Sequence, residues 1–331
     1  MIEQNSQPFK IGIIIESKWP VEKTIEYTKL AEENGYDDAW VNDYIFDRDP
    51  FSILCLLAAN SSKIRLGTGV VNPYLRHPEV IAASIGTVAS MAPGRTVLGL
   101  GSSNDAMLKP IAVTVENPIE TCRQTIDIVR LLLQGESANY DGSKFKLDKA
   151  KLSFKPEREV PIFLALATGK KMMQLCGESA DGTFLMEATE DFHLEVMKSV
   201  HEARNLSKRN HKFGFETVAN QLISVGRNRK EAIDSLKPVM ASNLARKGPG
   251  VTMMGLDVSK AQEYAKEPSL IPADFMQHFS LCGTVDDCLD HISNLRKIGI
   301  TQIAHRFPSP EQVKTVGVLL MPALREQFGH P

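Results

Sequence analysis

Two hydrophobic periods alternate along the chain. "KIGIII" at 10–15 is a short β-rich run, and "VEKTIEYTKLAEENG" then repeats apolar residues at helical spacing until Gly35 closes the segment. The same pairing recurs in "DAWVND" with "FSILCLLAANSS", "RLGTGVV" with "PEVIAASIGTVASM", and "RTVLGLG" with "PIETCRQTIDIVRLLLQG". It continues in "PIFLALA" with "KKMMQLCGESA", "GTFLMEA" with "DFHLEVMKSVHEARN", "FETVANQLISV" with "KEAIDSLKPVMASNLAR", and "TQIAHRF" with "PEQVKTVGVLLMPALREQF". Eight such strand–helix units predict a closed (β/α)8 barrel, the TIM architecture, because parallel strands need crossover helices and eight of them close around a filled core. An open doubly wound sheet is the alternative.

Three stretches interrupt the alternation and predict insertions: 102–117 after the fourth strand, 136–160 between the fourth helix and fifth strand, and 248–281 after the seventh strand. The second contains "YDGSKFKL", which reads as a turn between two extended pieces. Asn117, Pro118 and Glu120 predict one helix start, and Ser309 with Pro310 another. The whole of 1–331 is expected to form one barrel domain.

Composition narrows the function classes. Hydrophobic residues at 43% and charged residues at 24% are ordinary for a globular chain with a substantial core. A net charge of −2 without long blocks of one sign gives no basic footprint for nucleic acid, so a small-molecule partner is expected. No signal-like core opens the sequence, and no apolar run approaches the roughly 20 residues that span a bilayer, which predicts a cytoplasmic protein. Five scattered cysteines lack a CxxC pair and predict buried, reduced thiols; Cys282 and Cys288 near Asp286, Asp287 and His291 fit no structural zinc pattern, so no metal is expected.

In a barrel of this kind the chemistry sits at the carboxyl ends of the strands. Those positions are Glu16, Asn42 with Asp43, Asn72, Gly101 with Ser102 and Ser103, Ala167 with Thr168 and Gly169, Met186 with Glu187, and His305 with Arg306. Any one of them is explained by burial stopping at a strand end; the set predicts a polar site. Glu16, Asp43 and Glu187 are the candidate catalytic carboxylates, Glu16 as the proton donor and Asp43 and Glu187 as polar residues beside the ring and acceptor that orient a ligand or exchange a proton. "GLGSSN" and "GTGVVN" both lack the third glycine of the dinucleotide fingerprint. "ATGKKM" opens a helix with Thr168, Gly169, Lys170 and Lys171, where free backbone N–H groups, a hydroxyl and ammonium groups converge, making it the candidate phosphate site or else a plain glycine turn with solvated lysines. No serine-hydrolase elbow or zinc-protease motif is present.

The stretch "LGTGVVNPYLRHPEVIAASIGTVASMAPGRTVLGLG" at 66–101 resembles the methylenetetrahydromethanopterin reductases of the luciferase-like superfamily, which use the deazaflavin coenzyme F420. "GVVNPYLRHP" is its specific part, and the resemblance runs from "LAEENGYDDAWVND" through "KMMQLCGESADGTF". It implies a coenzyme across the barrel mouth, with Asp43, Gly69, Val70 and Asn72 near the ring, Thr168, Gly169 and Lys170 near the phosphate, and Gly101 and Ser102 also among the cofactor-binding residues. It further implies a hydride transfer to a small organic acceptor, a homodimer, and a non-proline cis peptide at Gly69-Val70 forming a bulge behind the ring. Gly67 and Gly69 are then expected to relieve crowding at the bulge, Asn72 and Pro73 to end the strand, and Arg76 and His77 to wrap the cofactor side; the alternative is that Gly69 makes room for a neighbouring strand's side chain. The chain departs from the family pattern with Ile14 where an acidic residue is usual, "GSSN" in place of a Gly-Pro-Gly-Asp turn, and Tyr44 after Asp43 in place of histidine. Glu16 and Asp105 are the nearest acidic substitutes. A flavin mononucleotide (FMN) monooxygenase of the same superfamily, and a cofactor-binding accessory protein, are the competing functions.

Overall fold

The computed structural model describes residues 7–103, 105–166 and 169–330. Eight parallel strands close a ring: β1 (Lys10–Ile15), β2 (Asp38–Val41), β3 (Arg65–Thr68), β4 (Thr96–Leu100), β7 (Ile162–Leu166), β8 (Gly182–Leu185), β9 (Glu216–Val225) and β11 (Gln302–His305), with β11 pairing back onto β1. The eight-unit alternation therefore gives the expected barrel. Between them lie an antiparallel hairpin, β5 (Ala138–Asp141) and β6 (Lys146–Ala150), built from the "YDGSKFKL" segment, and a short strand β10 (Ser280–Gly283).

The crossover helices are α1 (Val21–Glu33), α2 (Pro50–Asn60), α3 (Pro78–Met91), α5 (Pro118–Leu133), α6 (Lys170–Ser179), α7 (Glu190–Leu206) and α11 (Val285–Lys297). The chain ends in α12 (Pro310–Thr315), a π-helical turn over Val316–Leu320, and α13 (Met321–Phe328). Inserted pieces are α4 (Asp105–Leu108) after β4, and α8 (Arg229–Lys247), α9 (Val258–Lys266) and α10 (Ala273–Phe279) after β9. No helix among the described residues is long and apolar enough to cross a membrane.

Two expectations change here. The helix after β9, α8, does not cover the barrel; its Ile233, Leu236, Met240 and Leu244 form a satellite core with Val251, Tyr264, Met276 and Phe279. The barrel is covered instead by α11, to which the hydrophobic pattern assigned no element, and which begins in a capping box of Thr284 and Asp287. Likewise Asn117 stands at φ 46° and makes no side-chain cap, whereas Ser309 caps α12 reciprocally with Gln312.

The barrel interior explains one of the glycines in "RLGTGVV". Ile14, Trp40, Val97, Phe163, Phe184, Val218 and Ala304 fill it, and Trp40 is fully buried. A Cβ on Gly67 would stand 2.2 Å from Trp40 Cζ3, and one on Gly12 would stand 2.9 Å from Trp40 Nε1. Gly67 is thus an indole-packing position rather than a relief for the bulge. Below this layer Arg65 reaches Asp38 and Glu216, and Lys10 and Gln302 complete a polar plug at the amino ends of the strands. Burial opposes the Arg65 charge, yet Asp38 and Glu216 outweigh it and hold the guanidinium protonated.

Candidate active site at the barrel mouth

Side chains alternate along a strand, so positions two residues beyond the interior layer point into the carboxyl-end mouth. Glu16 follows Ile14, Asn42 follows Trp40, Met186 follows Phe184, Asn220 follows Val218 and Arg306 follows Ala304. On the β3, β4 and β7 side the equivalent positions are small, Gly69, Gly99 and Ala165, with Gly101 two residues further on. The mouth has one small-residue wall and one wall that is polar but for Met186.

The small wall is shaped by a break in β3. The Gly69-Val70 peptide is cis, as the family resemblance implied. The ladder stops at Thr68 and resumes as an isolated bridge between Val71 and Leu100, with Val71 N donating to Gly99 O at 2.9 Å. The Val70 side chain lies across β4, where a Cβ on Gly99 or Gly101 would come within 3.0 or 2.6 Å of its methyls. A Cβ on Gly69 would stand 3.0 Å from Trp40 Cβ, which is the alternative reading of that glycine, room for a neighbouring strand's side chain. Asn72 then closes the turn by accepting from Tyr74 N at 2.8 Å. Its Oδ1 is spent on the backbone.

Of the three expected carboxylates, Glu16 faces the mouth. It is 5% exposed, and its Oε2 accepts from Asn42 Nδ2 at 3.0 Å; Ser17 N donates to Asn42 Oδ1 at 2.7 Å and so fixes the amide's orientation. Lys18 Nζ stands 3.8 Å away, and Glu16 Oε1 receives no hydrogen bond from the described residues. The other two carboxylates are occupied. Asp43 accepts from Arg76 Nη1 at 2.6 Å and Nη2 at 3.3 Å, while the same guanidinium reaches Asp49 at 2.9 Å. Arg76 is thus turned to these aspartates, and His77 packs edge-on against Phe145.

Glu187 accepts from Arg306 Nη1 at 2.7 Å, Lys247 Nζ at 2.9 Å and Asn243 Nδ2 at 3.2 Å. Burial alone would raise its pKa, but Arg306 and Lys247 overturn that and bring it down to about 2. A carboxyl so held is a fixed anion at neutral pH, which of the two roles open to Glu187 leaves the orienting one. It ties the end of β8 to α8 and to the residue after β11. Tyr44, 43% exposed, stands among the charges of Arg306, Glu16, Arg246 and Asp47, and burial raises its phenol's pKa.

Other strand-end positions separate. His305 turns away from the mouth, fully buried, with Nδ1 3.0 Å from Tyr36 Oη; burial brings its pKa down to about 3, which keeps the ring neutral. Gly169 precedes α6 without a side-chain cap, and Lys170 at the first helical position is exposed. Thr168 lies outside the described residues, as do Ala167 and Asn104. Ser102 is half-buried beside Gly101.

Asn220, Asn243 and Lys247 are the site-forming residues that sequence reasoning missed. Asn220 sits mid-strand because β9 runs on past the barrel to pair with β10, so looking for the strand's last residue overshoots it. Its Oδ1 is buried without a partner among the described residues. The parity with Val218 was the available signal.

Residues 7–302 match the model of a family described as luciferase-like monooxygenase. A 5,10-methylenetetrahydromethanopterin reductase of Archaeoglobus fulgidus is 33% identical over 308 residues, covering 88% of this chain and 92% of that one. Its namesake from Methanolobus tindarius is 32% identical over 314 residues, covering 91% and 95%. Among solved structures, the coenzyme F420 dependent tetrahydromethanopterin reductase from Methanopyrus kandleri superposes with a TM-score of 0.83 at 23% identity, over 96% of this chain and 99% of that one.

Proposed function

We infer the function from one premise: the chain belongs to the luciferase-like monooxygenase family. It is a coenzyme F420-dependent oxidoreductase that transfers a hydride between the deazaflavin and a small organic substrate, in the manner of the methylenetetrahydromethanopterin reductases it is similar to. The observation that carries the reading is the two-walled mouth, with a glycine and alanine wall for a flat ring and, on the other wall, Glu16, whose Oε1 accepts no hydrogen bond from the described residues.

The residues present fit the cofactor. The positions at Gly99 and Gly101 have no room for a Cβ beside Val70, and the unpartnered Asn220 Oδ1 marks polar capacity at the mouth that the described protein leaves unused. Gly69, Val70, Asn72, Gly101 and Ser102 would border the ring, and Gly169 and Lys170 would take the phosphate at the start of α6. When bound, the deazaflavin supplies a carbon that carries two electrons as a hydride. Glu16 holds or delivers a proton at Oε1, with Asn42 keeping the carboxyl in one rotamer. Asp43 positions Arg76 at the ring side, and Glu187 positions Arg306 at the acceptor side. Tyr44, Phe46 and Met186 form an exposed apolar rim that restricts water once an acceptor is seated.

The chain is inferred to act as a cytoplasmic homodimer. Neighbouring helices α2 and α3 leave Leu56, Val80 and Met91 at 39%, 45% and 44% exposure, with Glu79 the charged residue among the exposed positions of that face. Leu56→Glu with Val80→Glu should yield a monomer in sedimentation; a protein that is monomeric before substitution contradicts the dimer.

The functional reading is tested by equilibrium titration with F420 and with FMN in the same buffer. Saturable binding that favours F420 is expected. Equal or reversed affinities support instead the FMN monooxygenase of the same family, and binding of neither removes the mouth as a cofactor site.

A further inference from the structure

A second cluster of charge lies at the opposite end of the barrel, where the chain enters β7, β8 and β9. Asp181, fully buried at the start of β8, accepts from Arg130 Nη2 at 2.8 Å and from Arg209 Nη2 at 2.7 Å, and both guanidiniums also donate to the carbonyl of Ser179. Arg204 stands alongside; it donates to Ala180 O at 3.1 Å and Phe213 O at 2.8 Å and meets His211 Nδ1 at 2.9 Å. Two guanidiniums therefore share the Asp181 carboxylate, while the hydrogen bonds of a third go to carbonyls and an imidazole. Burial lowers the pKa of both Arg130 and Arg204; Asp181 pulls the other way, and Arg209 adds a smaller repulsion. The Nε2 of His211, beside Arg204, is buried with no partner among the described residues.

A cavity of about 410 Å³ opens directly beside this cluster. Five basic side chains border it against three acidic ones: Arg130 and Arg209 share Asp181, Lys212 pairs with Glu159, and Lys155 and Arg158 are left with Glu157. Lys155 and Arg158 stand at its rim, exposed and without an ion pair among the described residues. Partly buried positive charge in excess of its partners is costly unless an anion completes it. The volume falls in the range of small-ligand sites, roughly 300–1,000 Å³.

We propose that this cavity is a binding site for a phosphate-bearing small molecule, held by Arg130 and Arg209 at its inner end and by Lys155 and Arg158 at its rim. A phosphate monoester carries close to two negative charges and three acceptor oxygens, which suits paired guanidinium forks. A lone carboxylate supplies half that charge. The site is separate from the mouth, because it lies at the amino ends of the strands and shares no residue with the α6 turn.

Calorimetric titration of the full chain with inorganic phosphate and with pyrophosphate, at constant ionic strength, tests it. Because the α6 turn is itself a candidate for phosphate, the titration is run on Lys170→Ala as well as on the unsubstituted chain. The expected result is saturable binding that persists in Lys170→Ala and weakens about tenfold or more in Lys155→Ala and in Arg158→Ala. Both rim residues are exposed, so neither substitution disturbs a core, and unchanged thermal unfolding without anion verifies this. Absence of saturable binding overturns the proposal. So does binding that is lost in Lys170→Ala, or that is indifferent to both rim substitutions.

Discussion

Replacing Glu187 by Gln keeps the side chain's volume and removes its charge, leaving Lys247 and Arg306 at 2.9 and 2.7 Å from a neutral amide. In the fold, a carboxyl brought from its ordinary 4.5 to about 2 is favoured in its ionised form by on the order of 3 kcal/mol. Glu187 is 8% exposed on its side chain, so solvent screening takes little from that figure. Removing one partner of a buried pair typically costs ~3–5 kcal/mol, which agrees in size. The sign in pH follows from the lowered value: the stabilisation is complete above about 4.5 and is lost as pH falls towards about 2. Urea unfolding, followed by the fluorescence of the two tryptophans, should place Glu187→Gln about 3 kcal/mol below the unsubstituted chain at neutral pH, and the gap should narrow steadily with acid. Because Lys247 ends α8, the loss should be accompanied by faster amide exchange in the satellite core. Equal midpoints at neutral pH, or a gap indifferent to acid, would refute the ion-pair reasoning.

Gly67→Ala drives a methyl to 2.2 Å from the Trp40 ring and should cost ~1–3 kcal/mol by overpacking, with a change in tryptophan emission; Gly250→Ala, where nothing lies within 4 Å, should leave the melting temperature unmoved. If both variants melt alike, Trp40 does not set the glycine requirement. Lys170→Ala should weaken F420 binding by ~1–3 kcal/mol, the scale of a lost charge-assisted hydrogen bond, with the fold unchanged because Lys170 is exposed. An unchanged dissociation constant removes the α6 turn as the cofactor's phosphate site.

The barrel was legible because its signal is local: each strand and helix carries its own period, and the turns between them carry their own residues. Trp40 could be assigned to a strand but not to the space it fills, since its neighbours Gly12, Gly67 and Phe184 come from three other strands. The site divided along the same line. Strand-end reading found Glu16, Asn42 and Arg306, whose positions follow from parity. It could not see that Asp43 and Glu187 are already partnered, because their cations arrive from 33, 60 and 119 residues away. Helix α11 escaped notice for a different reason: its partly charged sequence, "VDDCLDHISNLRK", follows directly on a long insertion, and only the capping box at Thr284 announces it.

The most direct test of hydride transfer at this mouth uses reduced F420 carrying deuterium at its reactive carbon, mixed with the chain and with methylenetetrahydromethanopterin or a panel of carbonyl acceptors, and followed by mass spectrometry of the products. The expected result is one deuterium on an acceptor, without oxygen uptake, and slowed transfer in Glu16→Gln at unchanged F420 affinity. Label that reaches no acceptor, together with oxygen consumption when reduced FMN replaces F420, would contradict the deazaflavin reading; full transfer in Glu16→Gln across the accessible pH range would contradict the part given to Glu16.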